Sequence, residues 1–263
     1  MEPPTAQTTG PVIRMEDVTV ASMQDLSAVV AEAVDWTVNP GDFWVVAGLQ
    51  GTGKSDLLMM TGGLMPPAAG HYWLFGEEMP VFEESRLALR LRLGLVFDGG
   101  QLFNHLTAWE NIALPVRYHR NLTRADAATE VQPFLEAMEL GPWADSTPSA
   151  IGRNWRKRVG LARALMLKPE VLLVDSPLAG LDPRHVNWWL SVLGELSKGH
   201  PLLGGRPLTL VVTTADARPW KSLARQFGVL KNRRFVVLGT WAELEAASEE
   251  LLQERLPAET RAG

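Results

Sequence analysis

The chain has 263 residues, 46% of them hydrophobic, enough to bury a sizeable core in one large domain or two small ones. A net charge of −5 and a pI near 5.6 argue against a nucleic-acid or anionic-membrane binder, and the lack of cysteine excludes a disulfide framework. The longest apolar runs are strand-sized, far short of the ~20 residues a membrane-spanning helix needs.

Residues 1–10 are polar, show no signal-peptide pattern and read as a disordered tail. Strand-like runs follow over Val12–Val20 and Val29–Val38, then a turn at Asn39-Pro40-Gly41. Phe43–Ala47 (FWVVA) is a continuous apolar run, as expected of a strand buried on both faces, and it stops at Gly48. Ser55–Leu64 reads as a helix ended by Pro66-Pro67, and Tyr72–Phe75 as a strand. Arg86–Arg92 reads as helix, Leu93–Phe97 as strand, and Thr107–Leu140 as helical in periodic segments. A helix over Ala150–Leu167 leads through Pro169 to the strand Val171–Val174. Then come a helix over Arg184–Leu196, a strand over Leu208–Val212 and a late strand over Phe235–Leu238. The charged tail after Trp241 has helical spacing at Leu251, Leu252 and Leu256. Apolar strands alternating with helices imply an α/β fold, with a mostly parallel sheet covered on both faces.

Gly48-Leu49-Gln50-Gly51-Thr52-Gly53-Lys54-Ser55 fits the phosphate-loop spacing G-x-x-x-x-G-K-[ST], with an apolar strand before it and a helix after it. The glycines let successive backbone N–H groups converge on one anion, and the helix that follows adds its positive end. Lys54 is placed to reach outer phosphates and Ser55 to bind Mg2+, so the expected ligand is a nucleoside triphosphate, ATP first. Gln50 and Thr52 lie within the loop. Asp56 admits two readings: a carboxylate close to the triphosphate, or a helix-start residue facing solvent.

Four further segments resemble ABC-type ATPases in order and spacing: Pro67–Gly76, Val96–Pro115 (VFDGGQLFNHLTAWENIALP), Thr147–Pro169 and Val171–Asp182 (VLLVDSPLAGLD). Within that family the run Gly100–His119, the segment Thr147-Pro148-Ser149 and the helical C-terminal extension resemble the ATPase subunits of Mla/Mce-type lipid transporters. The resemblance implies a P-loop NTPase (RecA-like) core with an antiparallel β subdomain and an inserted helical subdomain at about 98–158. Its ABC ATPase domain would span 11–245, and a helical extension 246–263. It implies ATP and Mg2+ as cofactors. It also implies an integral membrane permease, a second ATPase subunit in a heterodimer or homodimer, a Mce-like substrate-binding protein, and no nucleic acid. The implied location is the cytoplasmic face of the inner membrane, held there by the permease.

The resemblance assigns Asp175 to the magnesium-holding Walker B position and Asp182 to the D-loop contact with the opposing subunit; Asp182 also fits a helix N-cap before Pro183. It also exposes departures. Ser176 stands where the catalytic glutamate belongs, and a neutral hydroxyl is no general base near neutral pH without a partner base. Asp98 stands at the Q-loop glutamine, where it retains a metal-binding carboxylate but adds negative charge. Ala215 marks the switch-histidine position, and none of His71, His105, His119, His185 or His200 lies there. The signature reads Ile151-Gly152-Arg153-Asn154-Trp155, so Gly152, Arg153 and Asn154 form the expected dimer contact without its serine and close-approach glycines. No aromatic residue stands near Ser22 or Met23, where the family stacks one on adenine. Trp143, Trp188-Trp189 and Trp220 fit either a protein interface or packing under helices.

Three functions follow as expectations. The first is an ATP-binding ABC subunit of a lipid-type transporter with weak or no hydrolysis of its own, working with a partner ATPase and permease. The second is an ordinary ATP-hydrolysing homodimer with displaced catalytic groups. The third is a regulator or scaffold built on the ABC fold.

Overall fold

In the computed structural model, which describes residues 10–79 and 86–253 with side chains up to residue 247, ten strands form one sheet. They are β1 (Ile13–Ala21), β2 (Val29–Val38), β3 (Phe43–Ala47), β4 (Ala69–Leu74), β5 (Glu77–Glu78), β6 (Leu93–Val96), β7 (Val171–Val174), β8 (Thr209–Thr214), β9 (Gln226–Lys231) and β10 (Arg234–Gly239). The helices are α1 (Lys54–Thr61), α2 (Leu87–Arg90), α3 (Ala108–Arg120), α4 (Arg124–Ala137), α5 (Arg153–Leu165), α6 (Pro183–Lys198) and α7 (Trp241–Gln253). The sheet order is β5-β4-β1-β2-β10-β9-β3-β8-β7-β6. The strands β9, β3, β8, β7 and β6 run parallel to their neighbours within that group; β5, β4, β1 and β2 pair antiparallel. The two regions join where β10 lies parallel to β2, through the pair Arg234 and Glu32.

Side-chain alternation explains why β3 and β7 are apolar throughout. Phe43 and Val45 of β3, with Leu172 and Val174 of β7, face a core shared with α3, α4, α5 and α6. Trp44 and Val46, with Val171 and Leu173, face the opposite core under α1, β1, β2 and β4. Each of these two strands feeds both cores, so every position along it is filled by an apolar side chain.

The structure differs from expectation in three places. The stretch expected to be helical over Thr107–Leu140 is two helices, each started by a threonine whose hydroxyl accepts an N–H bond three residues on: Thr107 from Glu110 and Thr123 from Asp126. Glu110 returns a bond to the Thr107 N–H, completing a capping box. The helix expected over Arg86–Arg92 shrinks to the single turn of α2. The strand β9 was not expected at all; it sits between β3 and β10. Most of the 1–10 tail and the end of the C-terminal extension, with Leu256, lie outside the described residues. Among the described residues no helix is long and apolar enough to cross a membrane.

Candidate functional site

The phosphate loop leaves the end of β3, and its backbone conformation selects glycine. A Cβ on Gly48 would lie 2.5 Å from the Leu230 carbonyl oxygen, and one on Gly53 would lie 2.6 Å from Val30 Cβ. Gly51 and Gly53 also take φ of +80° and +92°, a region costly for a side chain. Gly53 is the N-cap of α1, so the first free N–H groups of that helix open into the loop. Lys54 is buried, and its ammonium donates to the Gly48 and Leu49 carbonyls at 2.8 and 2.7 Å. Burial pushes its pKa down, while the nearby charge of Asp175 pulls it up; burial prevails. Thr52 folds its hydroxyl back to Leu49 O at 2.9 Å. Gln50 is exposed and Ser55 half-buried beside them. A glycine cradle ending on a lysine that rests on neutral carbonyls fits a polyphosphate, with Ser55 and Asp175 as the groups to hold Mg2+.

Asp56 lies in the first turn of α1. Its carboxylate accepts the Met23 N–H at 2.7 Å, tying α1 to the loop after β1.

Asp175 follows the last residue of β7 and is set by its neighbours. Its N–H donates to Val96 O at 2.8 Å, and its Oδ1 accepts from Thr213 Oγ1 at 2.6 Å and Ser176 Oγ at 3.2 Å. Thr213 Oγ1 in turn accepts the Ser176 N–H at 3.0 Å. One hydroxyl at the end of β8 thus orients both residues. Ser176 takes φ of +46°, unusual for a residue with a side chain. Ala215 is exposed just past β8, where Thr214 and the Asp216–Arg218 ion pair close the turn.

The signature side is organised by cations of α5. Arg153 donates to both oxygens of Asp98 at 3.0 and 2.8 Å, and Lys157 Nζ reaches Asp98 Oδ1 at 2.9 Å. Burial alone would raise the Asp98 carboxyl; the bonds and charges of Lys157 and Arg153 outweigh it and hold it below the usual carboxylate range. Lys157 is almost wholly buried and also donates to the carbonyls of Ser176, Pro177 and Ala179 at 2.9, 3.2 and 3.1 Å. Further along the same helix face, Gly160 packs on Gly100, and Arg163 donates to the Gly100 and Gln101 carbonyls. The segment 98–101 is therefore laid along α5 and held at every turn.

Trp155 is drawn into a second cluster with Trp143, His185 and Arg158, and Arg158 also stacks on Trp188 at 3.6 Å. Trp189 and Trp220 are fully buried and pack under helices, whereas Trp143, Trp155 and Trp188 are half-buried against the same core. Gly152 is the N-cap of α5, and the Asn154 side-chain amide is buried with neither polar atom hydrogen-bonded. Asp182 caps α6 by accepting from the Arg184 and His185 N–H groups at 3.0 and 3.1 Å. Those bonds, with the His185 one foremost, hold its pKa below the usual value.

The structure brings Lys54 and Asp175 together at one end of the parallel strands, and Asp98, Arg153 and the 176–179 segment together at α5. Neither Thr213 nor Lys157 belongs to the motifs legible in the sequence. A threonine pair ending an apolar strand, and a lysine four residues after Arg153 on one helix face, were the available signals.

The ABC transporter family matches residues 31–179. The phospholipid transport ATP-binding protein MlaF of Escherichia coli K12 is 30% identical over 218 residues, covering 82% of this chain and 79% of its own length. The methionine import ATP-binding protein MetN of Carboxydothermus hydrogenoformans is 29% identical, covering 87% of this chain and 65% of its own. A solved structure of dimeric MJ0796, described as a bacterial ABC transporter cassette, is 25% identical with a TM-score of 0.74, covering 84% of this chain and 95% of that one. A family match over more than half of the sequence, on a fold that carries a phosphate loop, Asp175 and the α5 helix in the expected order, places the chain in the ABC transporter family as an ATP-binding subunit.

Proposed function

We propose that this chain is the nucleotide-binding subunit of a lipid-type ABC transporter that binds ATP with Mg2+ and hydrolyses it weakly or not at all by itself. Its phosphate loop, Gly48 to Ser55, would hold the phosphates, and Ser55 with Asp175 the metal. The observation that carries the weak-hydrolysis reading is the Asp98–Arg153–Lys157 cluster. The residues at the Q-loop and signature positions, both changed from the family's pattern, are paired with each other inside one chain. Asp98 is then committed to two cations rather than to a metal. Arg153 is neutralised rather than offered to a partner's nucleotide. Ser176 supplies no base, and Ala215 no proton-transferring side chain.

The lipid class rests on the similarity to MlaF and on the run Gly100–His119; the similarity to MetN is nearly as strong, so the fold alone does not choose the substrate. The assembly we propose is a dimer with a second, competent ATPase, or a homodimer, under a membrane permease. A Mce-like substrate-binding protein would complete it on the far side. The chain would then lie on the cytoplasmic face of the inner membrane. Asp182, Gly152 and Asn154 are the residues we assign to the subunit contact. The test measures ATP affinity by calorimetry and phosphate release for the chain alone and with its co-purified partners. Binding without turnover by the isolated chain is expected. Turnover by the isolated chain that Lys54→Ala abolishes would favour an ordinary hydrolytic homodimer.

A further inference from the structure

The loop after Asp175 turns back on itself and aims three main-chain carbonyls at one point. Ser176, where it starts, takes φ of +46°, Gly180 takes +69°, and the Ala179 N–H closes the turn on Ser176 O at 3.1 Å. The carbonyl oxygens of Ser176, Pro177 and Ala179 stand 2.9, 3.2 and 3.1 Å from Lys157 Nζ, and Asp98 Oδ1 completes the set at 2.9 Å. Converging carbonyl dipoles repel one another unless a positive charge lies between them. An ammonium has three N–H groups, so four oxygens are one more than Lys157 can bond singly. Such a surplus suits a spherical cation, whose field has no preferred direction. The distances select its class: the spacings of about 2.0–2.1 Å for Mg2+ and about 2.3–2.6 Å for Ca2+ are too short for this set. Carbonyl oxygens at wider spacing are the groups that replace the water shell of K+.

We propose that these four oxygens form a monovalent-cation site, which Lys157 fills with its own tethered ammonium. Lys157 is thereby a positioning residue for the segment that follows Asp175. Its side chain is 1% exposed, so water does not stand in for it. The carboxylates of Asp98 and Asp175 attract its charge, and the Arg153 guanidinium repels it. Removing the lysine leaves two carboxylates against one guanidinium, a net attraction for a small cation. Asp98 is 38% exposed and gives a free ion its way in. What the loop needs at this point is the charge, and the lysine makes that charge permanent. The order of 176–180 in the wild type is therefore independent of the salt around it. The inference goes beyond the nucleotide reading and does not depend on it.

The test places the full chain, as wild type, Lys157→Ala and Lys157→Met, in NH4Cl, KCl or tetramethylammonium chloride at equal ionic strength. It reads hydrogen exchange over residues 176–182 and the denaturant midpoint. The wild type gives the same result in all three salts. In tetramethylammonium, an ion too large for the site, Lys157→Ala loses about tenfold in protection, as loss of one charge-assisted bond predicts. NH4+ or K+ restores it, with a saturating dependence on concentration, and Mg2+ does not. Lys157→Met fills the same space with an apolar chain and recovers in none. If Lys157→Ala does not fold in tetramethylammonium, its refolding yield across the three salts makes the same comparison. An alanine variant that behaves alike in all three salts would overturn the inference, because the lysine stem rather than its charge would then hold the loop. So would equal recovery of the methionine variant, the mark of a general salt effect. Failure of the wild type to bind ATP bears on the nucleotide reading alone.

Discussion

The phosphate loop and the start of α5 form two separate clusters that use their polar groups differently. At the phosphate loop, glycines clear the backbone, Lys54 rests on two neutral carbonyls, and Thr213 holds the Asp175 carboxylate beside it. Displacing Lys54 from those carbonyls breaks no ion pair, so an anion can compete for it. At α5 the charges are already matched: Arg153 and Lys157 share Asp98, and Lys157 also gathers three carbonyls of the segment after Ser176. A ligand arriving there would have to displace an internal partner. The contrast teaches that one chain can keep a phosphate receptor open while a second polar cluster is closed into internal structure.

The largest effect expected of a single change is on the internal cluster. Lys157→Met leaves three carbonyls without their donor and Asp98 with one cation instead of two. Breaking a buried charge network in this way costs about 3–5 kcal/mol, read as a lower denaturant midpoint. A loss below about 1 kcal/mol, the scale of an exposed ion pair, would break the comparison by showing that α5 is not tightly fastened. At the phosphate receptor the expected effect is on affinity. Lys54→Ala removes a charge-assisted bond to phosphate worth about 1.5–3 kcal/mol, so ATP binding weakens roughly 10- to 100-fold in calorimetry.

Chemistry ranks next. Ser176→Glu supplies a carboxylate where the family has its base, but it leaves Ala215 and the Arg153–Asp98 pair in place. Turnover by the purified chain should therefore stay within about tenfold of wild type, below the 10²–10⁴-fold a well-placed base provides. A rise into that range would show that the rest of the machinery is intact and would return the chain to the ordinary hydrolytic reading. The strained φ at Ser176 is a reason to check the variant's folding first.

How much of this was legible in the sequence follows from how local each feature is. The phosphate loop was legible because its fold depends on glycines within eight consecutive positions and on the strand and helix that flank them. The strands β3 and β7 were legible because burial on both faces leaves an unbroken apolar run. The strand β9 was not, because Gln226–Lys231 carries a glycine in its middle and polar ends; that glycine is required by the Phe235 ring, 2.6 Å from where its Cβ would be. The departures Asp98 and Arg153 were each visible, but their pairing spans 55 residues and depends on how 98–101 lies along α5. The destination of the Asp56 carboxylate was hidden for the same reason.

The smallest predicted effect tests whether that pairing matters energetically, and its pH dependence identifies it. Because Asp98 is held below its ordinary pKa in the folded chain, the pairing stabilises fully above the unfolded carboxylate value of about 3.9 and is lost as pH falls through the lower folded value. A double-mutant cycle of Asp98→Asn with Arg153→Ala, read by denaturant unfolding, should give a coupling of about 0.5–1 kcal/mol at neutral pH. The pair is half-exposed, so added salt should reduce that coupling. Exchanging the two charges should not restore it. An arginine at position 98 would face the Lys157 ammonium, which three carbonyls hold in place. Recovery by the exchange would mean that Lys157 can move away, and the cluster described as internal would then be open after all.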